Sequence, residues 1–233
     1  MSKPRDHRAV MAQRQPTAAD DPDFFPTAPW AGRWLAGFIQ RYLDPCAASA
    51  WECACGAGSL AQGLRLGFPV VWESDAYAYD GNRIHDFLGD APPPFDAEWI
   101  ITNPPFGDRP EGFIRQAYRL AGHGVAMLGR VGLLESVGRY SLLYRDCPLT
   151  IFAPFSERLP LVKGRWDPDA SSAAFYAWFI WLKRRPGVDP RRFMARIGAD
   201  YFPATVPIPP GTEARLTHPS DAARFGVVER GAA

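Results

Sequence analysis

The stretch Trp99-Ile100-Ile101-Thr102-Asn103-Pro104-Pro105-Phe106 joins a short apolar run to an abrupt polar turn. The run reads as a strand buried on both faces. Consecutive prolines have no backbone N–H and a fixed φ, so the strand ends there and the backbone beyond it is stiff. A stiff turn holds the carboxamide of Asn103 and the carbonyl of Pro104 toward one small space. Both oxygens are acceptors, and Phe106 sets a flat face beside them. Such a space suits a planar group with an exocyclic NH2. The plainer reading of the same residues is a strand-ending turn with incidental prolines.

A second stretch, Glu52-Cys53-Ala54-Cys55-Gly56-Ala57-Gly58, follows the apolar pair Ala50-Trp51. A glycine turn at the C-terminal end of a strand lets a nucleotide approach the backbone, and an acid ending the next strand hydrogen-bonds ribose hydroxyls. Glu73 fills that second place, with Ser74 and Asp75 beside it. The third glycine of a dinucleotide fingerprint is absent. Glu52 also puts a carboxylate where it meets an ammonium group rather than a pyrophosphate. An amino-acid-bearing nucleoside is favoured over a dinucleotide.

These residues need elements to hold them. The spacing predicts strands through about Cys53, at Val70-Val71-Trp72, at Trp99-Ile100-Ile101 and at Val125-Ala126-Met127-Leu128, then a closing pair over 149–152 and 175–181. Helices are expected over 59–66, around Phe113, Ile114, Ala117, Tyr118 and Ala121, and over 139–145. Before them Trp30, Trp34, Leu35, Phe38, Ile39, Tyr42 and Leu43 fall on one helical stripe, with Thr27 as N-cap, Pro29 in the first turn and Asp44-Pro45 as the stop. Alternating strands and helices predict an α/β fold with a mainly parallel sheet and an antiparallel edge strand.

Length and composition agree with one folded domain. The chain has 233 residues, 47% of them hydrophobic and 13% aromatic. We expect the domain over 23–185, after a flexible polar arm (1–22) and before a Pro/Arg-rich tail (186–233). No apolar run approaches the roughly 20 residues that span a bilayer. The N-terminus lacks the apolar core of a signal peptide, which reads as cytoplasmic. Cys53 and Cys55 form C-x-C with no second pair, so neither zinc nor a disulfide is expected and no metal is assigned. A net charge of +1 carries no global basic field, although only Lys3, Lys163 and Lys183 are lysines among the 26 basic residues. Arginine favours bidentate phosphate contacts.

In this order, Glu52-x-Ala54-x-Gly56-x-Gly58, Glu73-x-Asp75, Asp86-Phe87 and Asn103-Pro104-Pro105-Phe106 resemble class I S-adenosylmethionine-dependent methyltransferases. The Asn-Pro-Pro-Phe form looks like the branch that methylates planar amino nitrogens. The Phe-Pro-Thr-x-x-Trp segment ending at Trp30, Asp86-Phe87-Leu88 and the late Tyr-Ala-Trp-Phe strand are similar to small phage- and prophage-type DNA adenine-N6 methyltransferases. The resemblance covers about residues 24–183. Its one departure is Ala54, where the family's first motif glycine stands.

The resemblance implies a single Rossmann-like domain with a mainly parallel seven-stranded sheet, an antiparallel edge strand and helices on both faces. The implied cofactor is S-adenosyl-L-methionine. Glu52, Cys53, Ala54, Cys55, Gly56 and Gly58 would cradle its methionine part, and Glu73 would hold its ribose, with Ser74 and Asp75 near. Asp86 would take the adenine amine and Phe87 would pack on that ring, while Pro26, Thr27 and Trp30 close over the methionine end. Asn103, Pro104, Pro105 and Phe106 would form the catalytic turn, Asn103 also touching the cofactor. The implied substrate is nucleic acid, adenine in DNA foremost. Guanine-N2 in ribosomal RNA, glutamine-N5 in protein, and an inactive cofactor-binding subunit are the alternatives. Neither the stretch between the glycine turn and Asn103 nor the one after Arg185 has the length of a separate recognition domain. Short or relaxed specificity is therefore expected. Contacts would come from the 156–172 loop with Arg158, Lys163 and Arg165, and from Arg184, Arg185, Arg191 and Arg192.

Overall fold

The computed structural model describes residues 23–79, 81–107, 109–164, 166–167 and 174–225. The expected arm, Arg165 and the last eight residues lie outside them. Helix α1 (Pro29–Phe38) runs into a π-helical turn, Ile39–Leu43, and then the first strand. Strands follow as β1 (Ser49–Glu52), β2 (Val70–Asp75), β3 (Arg83–Ile84), β4 (Trp99–Thr102), β5 (Gly124–Arg130), β6 (Ile151–Pro154), β7 (Tyr176–Leu182), β8 (Ala195–Ile197), β9 (Asp200–Phe202) and β10 (Ala204–Thr205). Between and after them come α2 (Ser59–Leu64), α3 (Pro110–Leu120), α4 (Val137–Ser141), α5 (Thr212–Leu216) and α6 (Pro219–Phe225). None of the described helices is long and apolar enough to cross a membrane.

The main sheet has the order β10-β6-β7-β5-β4-β1-β2-β3, and β8 pairs only with β9. Strands β3, β2, β1, β4 and β5 are mutually parallel, while β7 runs antiparallel to both β5 and β6. The expected α/β class therefore stands, with two differences of detail. The sheet has eight strands rather than seven, and its antiparallel strand lies inside it. All seven residues of β7 are buried, so both its faces are covered and the apolar run Tyr176–Leu182 has no solvent side to alternate toward. Two core layers result, one packed under α1 and α2 and the other under α3.

Helix α1 divides the predicted stripe. Trp30, Leu35, Ile39 and Leu43 enter the core, whereas Trp34, Phe38 and Tyr42 form a ladder of rings along the outer face, with centroids 5.0 and 5.3 Å apart. Thr27 is not the N-cap: Ala28 holds that position, and the buried Thr27 hydroxyl has no hydrogen-bond partner among the described residues. Asp44 ends the helical turn and is itself buried. It accepts from Trp99 Nε1 at 2.9 Å, lies 2.8 Å from His123 Nδ1 and pairs with Arg185 at 2.6 Å. This cluster anchors the start of β4, whose other end carries the Asn-Pro-Pro-Phe turn.

Residues 186–225, expected as a peripheral tail, pack onto the body. β10 lies parallel to β6 at the sheet edge, Ile208 is fully buried, and Arg33 of α1 donates twice to Asp221, at 2.6 Å each, and to the Leu216 carbonyl at 2.8 Å. The short runs there were hidden by prolines and arginines, which sit at turns while a few apolar residues face inward. Asp221→Ala would strand the half-buried Arg33 guanidinium, and a loss of about 3 kcal/mol is expected from urea unfolding. An unchanged midpoint would show that the tail adds nothing to the fold.

Candidate active site

The C-terminal ends of β1, β2 and β4 meet at one edge of the sheet, where ligands bind in open α/β folds. A cavity of about 410 Å³ opens there. It is lined by Glu52, Cys53, Ala54, Cys55 and Gly56 after β1, by Asp75 at the end of β2, by Asp86 and Phe87, and by Asn103, Pro104, Pro105 and Phe106 after β4. Pro26 and Thr27 form part of its wall. Four motifs far apart in the chain thus share one space.

Glycine is required twice in the turn after β1. Gly56 has φ +52°, and a Cβ there would lie 2.6 Å from the Phe24 ring. Gly58 has φ +80°, and its Cβ would meet Glu73 Oε2 at 2.5 Å. Gly58 therefore shapes the turn without lining the cavity. Below it Glu73 is ion-paired with Arg65.

Three further expected residues sit elsewhere. Glu73 is displaced by Asp75, one alternation nearer the end of β2: Asp75 lines the cavity and accepts from the N–H groups of Gly56 at 2.9 Å and Tyr77 at 3.0 Å. Ser74 points to the opposite face of the strand and accepts from Trp51 Nε1 at 2.8 Å. Trp30 is wholly buried in the core, edge-on to Phe155 at 5.5 Å. Sequence order had placed all three near the ligand, but Glu73 lies too far back along β2, strand alternation turns Ser74 to the other face, and helix rotation turns Trp30 into the core. Asp75→Ala is accordingly expected to weaken binding of S-adenosylmethionine about tenfold or more, and Glu73→Ala by less than threefold, each measured by calorimetry. The reverse ranking would restore Glu73.

Burial sets the electrostatics. Glu52 is buried at the cavity floor, and neither of its oxygens has a hydrogen-bond partner of normal geometry among the described residues. Desolvation pushes its carboxyl well above the usual range; the nearby Thr102 hydroxyl pulls it down, and the carboxylates of Glu73 and Asp75 push it further up. Asp75 is raised by burial too, against the backbone N–H groups that favour its charged form. Burial also raises the thiols of Cys53 and Cys55, which stay protonated and inert.

Asn103 is fixed by what its amide donates to. Its Nδ2 donates to the Phe25 carbonyl at 3.0 Å, which leaves Oδ1 buried and without a partner among the described residues. Phe106 donates its N–H to Asp23 Oδ2 at 2.5 Å, meets the edge of Phe25 at 4.9 Å, and lies under the Arg130 guanidinium at 4.9 Å. A second cavity of about 350 Å³ shares Pro104, Phe106 and Gly107 with the first and is otherwise walled mainly by Ile114, Met127, Leu128 and Leu133, with Arg130 and Arg139.

Sequence reasoning missed Asp23, Phe24, Tyr77, Tyr79, Arg109 and Phe113 as lining residues. For Tyr77 and Tyr79 a signal existed, since a loop leaving the end of β2 must start at the ligand edge. Of the expected polymer contacts, Arg158 lies over the exposed Phe175 ring at 5.0 Å, and Gly164, next to Lys163, donates to the Phe24 carbonyl at 2.8 Å. Arg165 falls outside the described residues. Arg184 and Arg185 follow β7 at the opposite end of the sheet, paired with Asp189 and Asp44, and Arg191 lies over Tyr201. The antiparallel course of β7 carries the chain away from the cavity.

No family model matches the chain, and no curated protein matches it. Among solved structures, the methyltransferase subunit of a type I restriction-modification system from Streptococcus thermophilus has a TM-score of 0.51 at 13% identity, covering 87% of this chain and 53% of that one. This chain thus spans about half the length of that subunit. The 23S rRNA methyltransferase ErmE has a TM-score of 0.43 at 16% identity, covering 70% of each chain. Magnesium protoporphyrin IX methyltransferase from Synechocystis PCC 6803, solved with bound S-adenosylmethionine, has a TM-score of 0.45 at 10% identity, covering 67% of this chain and 79% of that one. At such identities the first of these likenesses shows the fold alone: the Rossmann-like α/β fold of class I methyltransferases.

Proposed function

We propose that the chain transfers a methyl group from S-adenosylmethionine to an exocyclic amino nitrogen of a nucleic-acid base, adenine-N6 in DNA first. The observation that carries this reading is Asn103 Oδ1, buried with no partner among the described residues while its own NH2 is spent on the Phe25 carbonyl. A buried acceptor left unsatisfied costs roughly 1–3 kcal/mol, so the site is built for a donor that arrives with the ligand. An amine brings such N–H groups.

The cavity fits the cofactor on the chain's own features. Glu52 brings a buried carboxyl with no partner of normal geometry among the described residues, which would take an ammonium group. Gly56, Asp75, Asp86 and Phe87 line the same cavity, where Asp75 would take ribose hydroxyls and Asp86 and Phe87 an adenine amine and ring. When bound, S-adenosylmethionine supplies an electrophilic methyl group. The protein's part is placement. Asn103 Oδ1 and the Pro104 carbonyl accept the two N–H bonds of the target amine, which draws its lone pair out of conjugation and aims it in line. Transfer would form the N–CH3 bond as the donor's sulfonium S–CH3 bond breaks, its electron pair staying on the sulfur of a neutral thioether that leaves. The nitrogen, made acidic, gives a proton to water, so no strong base is needed. Positioning and fixed dipoles supply the rate.

The second cavity lies across the turn, where the ring bearing the amine can enter against Phe106. Flipping a base from a duplex costs a few kcal/mol. Stacking of about 1–3 kcal/mol on an aromatic face offsets part of that. Short or relaxed sequence specificity accords with the few cationic side chains that line the second cavity, Arg130 and Arg139.

The test is direct. The chain is incubated with methyl-labelled S-adenosylmethionine and, separately, DNA, ribosomal RNA and protein, and the products are digested and identified. N6-methyladenine in DNA is expected. N2-methylguanine or N5-methylglutamine would replace the adenine assignment, and cofactor binding with no product at all would point to a partner subunit.

A further inference from the structure

Residues 23–25 touch both halves of the site at once. Along this extended segment Phe24 faces one way, its ring 5.1 Å from Tyr79 and against Gly56 of the glycine turn. Asp23 and Phe25 face the other, toward the Asn-Pro-Pro-Phe turn. Phe25 receives Asn103 Nδ2 on its carbonyl at 3.0 Å and sets its ring against Phe106, while Asp23 receives the Phe106 N–H at 2.5 Å. The Gly164 N–H holds the segment from behind through the Phe24 carbonyl at 2.8 Å.

The turn can be held in few ways. Pro104 and Pro105 have no N–H, so Phe106 supplies the first amide by which this backbone can be tied. Asp23 takes it with a charge-assisted bond, the strong kind. The side-chain amide of Asn103 has two ends of similar size, and the Phe25 carbonyl takes the NH2 end. Without residues 23–25 neither choice is fixed by any other described contact.

We infer that Asp23 is a positioning residue for the transfer proposed above: by holding the Phe106 N–H it keeps the acceptor turn and the segment over the glycine turn in one register. The inference rests on Asn103 as the amine acceptor. Because Phe24 and Asp23 are adjacent, the acceptor geometry is complete only while this segment lies across the cavity.

The full-length chain tests this with two readouts, methyl transfer to the substrate found above and amide exchange at Phe106 followed by NMR. Asp23→Ala should speed exchange of the Phe106 amide by roughly tenfold or more and lower kcat by 10- to 100-fold, with the Kd for S-adenosylmethionine within about twofold. Asp23→Asn keeps an acceptor oxygen and should stay within about threefold of wild type on both readouts. Wild-type kcat and protection in Asp23→Ala would overturn the inference. So would equal losses in Asp23→Ala and Asp23→Asn, or a loss of cofactor affinity as large as the loss in kcat, which would make the segment a cover only. A wild-type chain that protects Phe106 yet methylates nothing would overturn the proposed function and leave the Asp23 contact standing, so the two fail separately.

Discussion

Asn103→Ala should lower the rate of methyl transfer by roughly 10²- to 10³-fold, the range seen when one preorganised polar group is removed from a reacting centre. The Kd for S-adenosylmethionine should move by less than about threefold, because the floor of the cavity at Glu52, Gly56 and Asp75 is untouched. The split between kcat and binding is the informative part. Alanine also removes the donor that holds the Phe25 carbonyl, so some loosening of residues 23–25 accompanies the loss of Oδ1. Asn103→Asp separates the two effects. A carboxylate keeps an acceptor for the amine but presents oxygen, not N–H, to the Phe25 carbonyl. Activity between that of the wild type and that of Asn103→Ala is expected. A chain with alanine at this position that transfers methyl groups at the wild-type rate would make the turn structural only.

Glu52→Gln carries the second large effect, in opposite senses for the empty and the liganded chain. The folded-state pKa of Glu52 is raised above the ordinary 4.5, first by desolvation. Its contribution to stability is therefore fully present below the unfolded value and is lost as pH rises through the folded value. At neutral pH the empty wild-type chain carries that penalty, and the glutamine variant does not. The variant should melt higher than wild type near pH 7 and lose the advantage toward pH 4. Ligand reverses the ranking. An ammonium group beside Glu52 favours the carboxylate, so binding of S-adenosylmethionine releases a proton and strengthens as pH rises through the raised value. Glutamine cannot follow, and its affinity should fall by roughly 10- to 100-fold and become flat with pH. Calorimetry in two buffers of different ionisation enthalpy reads the proton directly. No proton release at any pH between about 4 and 8, with an affinity unchanged in Glu52→Gln, would remove Glu52 from the ammonium site.

How far a sequence is legible depended on whether the information was local. The Asn103 turn was legible because consecutive prolines stop a strand wherever it lies, and the glycine turn because Gly56 and Gly58 need positive φ whatever surrounds them. The class of fold was legible from alternating strand and helix patterns, since each pattern is set by its own period. The position of β7 was not: the run Tyr176–Leu182 announces a buried strand but says nothing of which neighbours it joins.

What the chain determined unaided is thus a set of local devices: a stiff acceptor turn, a glycine turn, acids after strands, and an α/β order that brings strand ends together. Tertiary structure decided which side chains those devices deliver. Glu73 and Asp75 share a face of β2, and only the length of the strand against β1 puts Asp75 at the open edge and Glu73 beneath Gly58. Trp30 and Thr27 lie within a turn of each other, yet helix rotation buries one ring in the core and leaves the other residue on the cavity wall. Asp23 and Phe25 meet Phe106 and Asn103 from far away in the chain. Spacing in sequence fixes the shape of a turn, because its dihedrals are its own. It does not fix what that turn faces, because that is settled by packing against partners drawn from the whole chain.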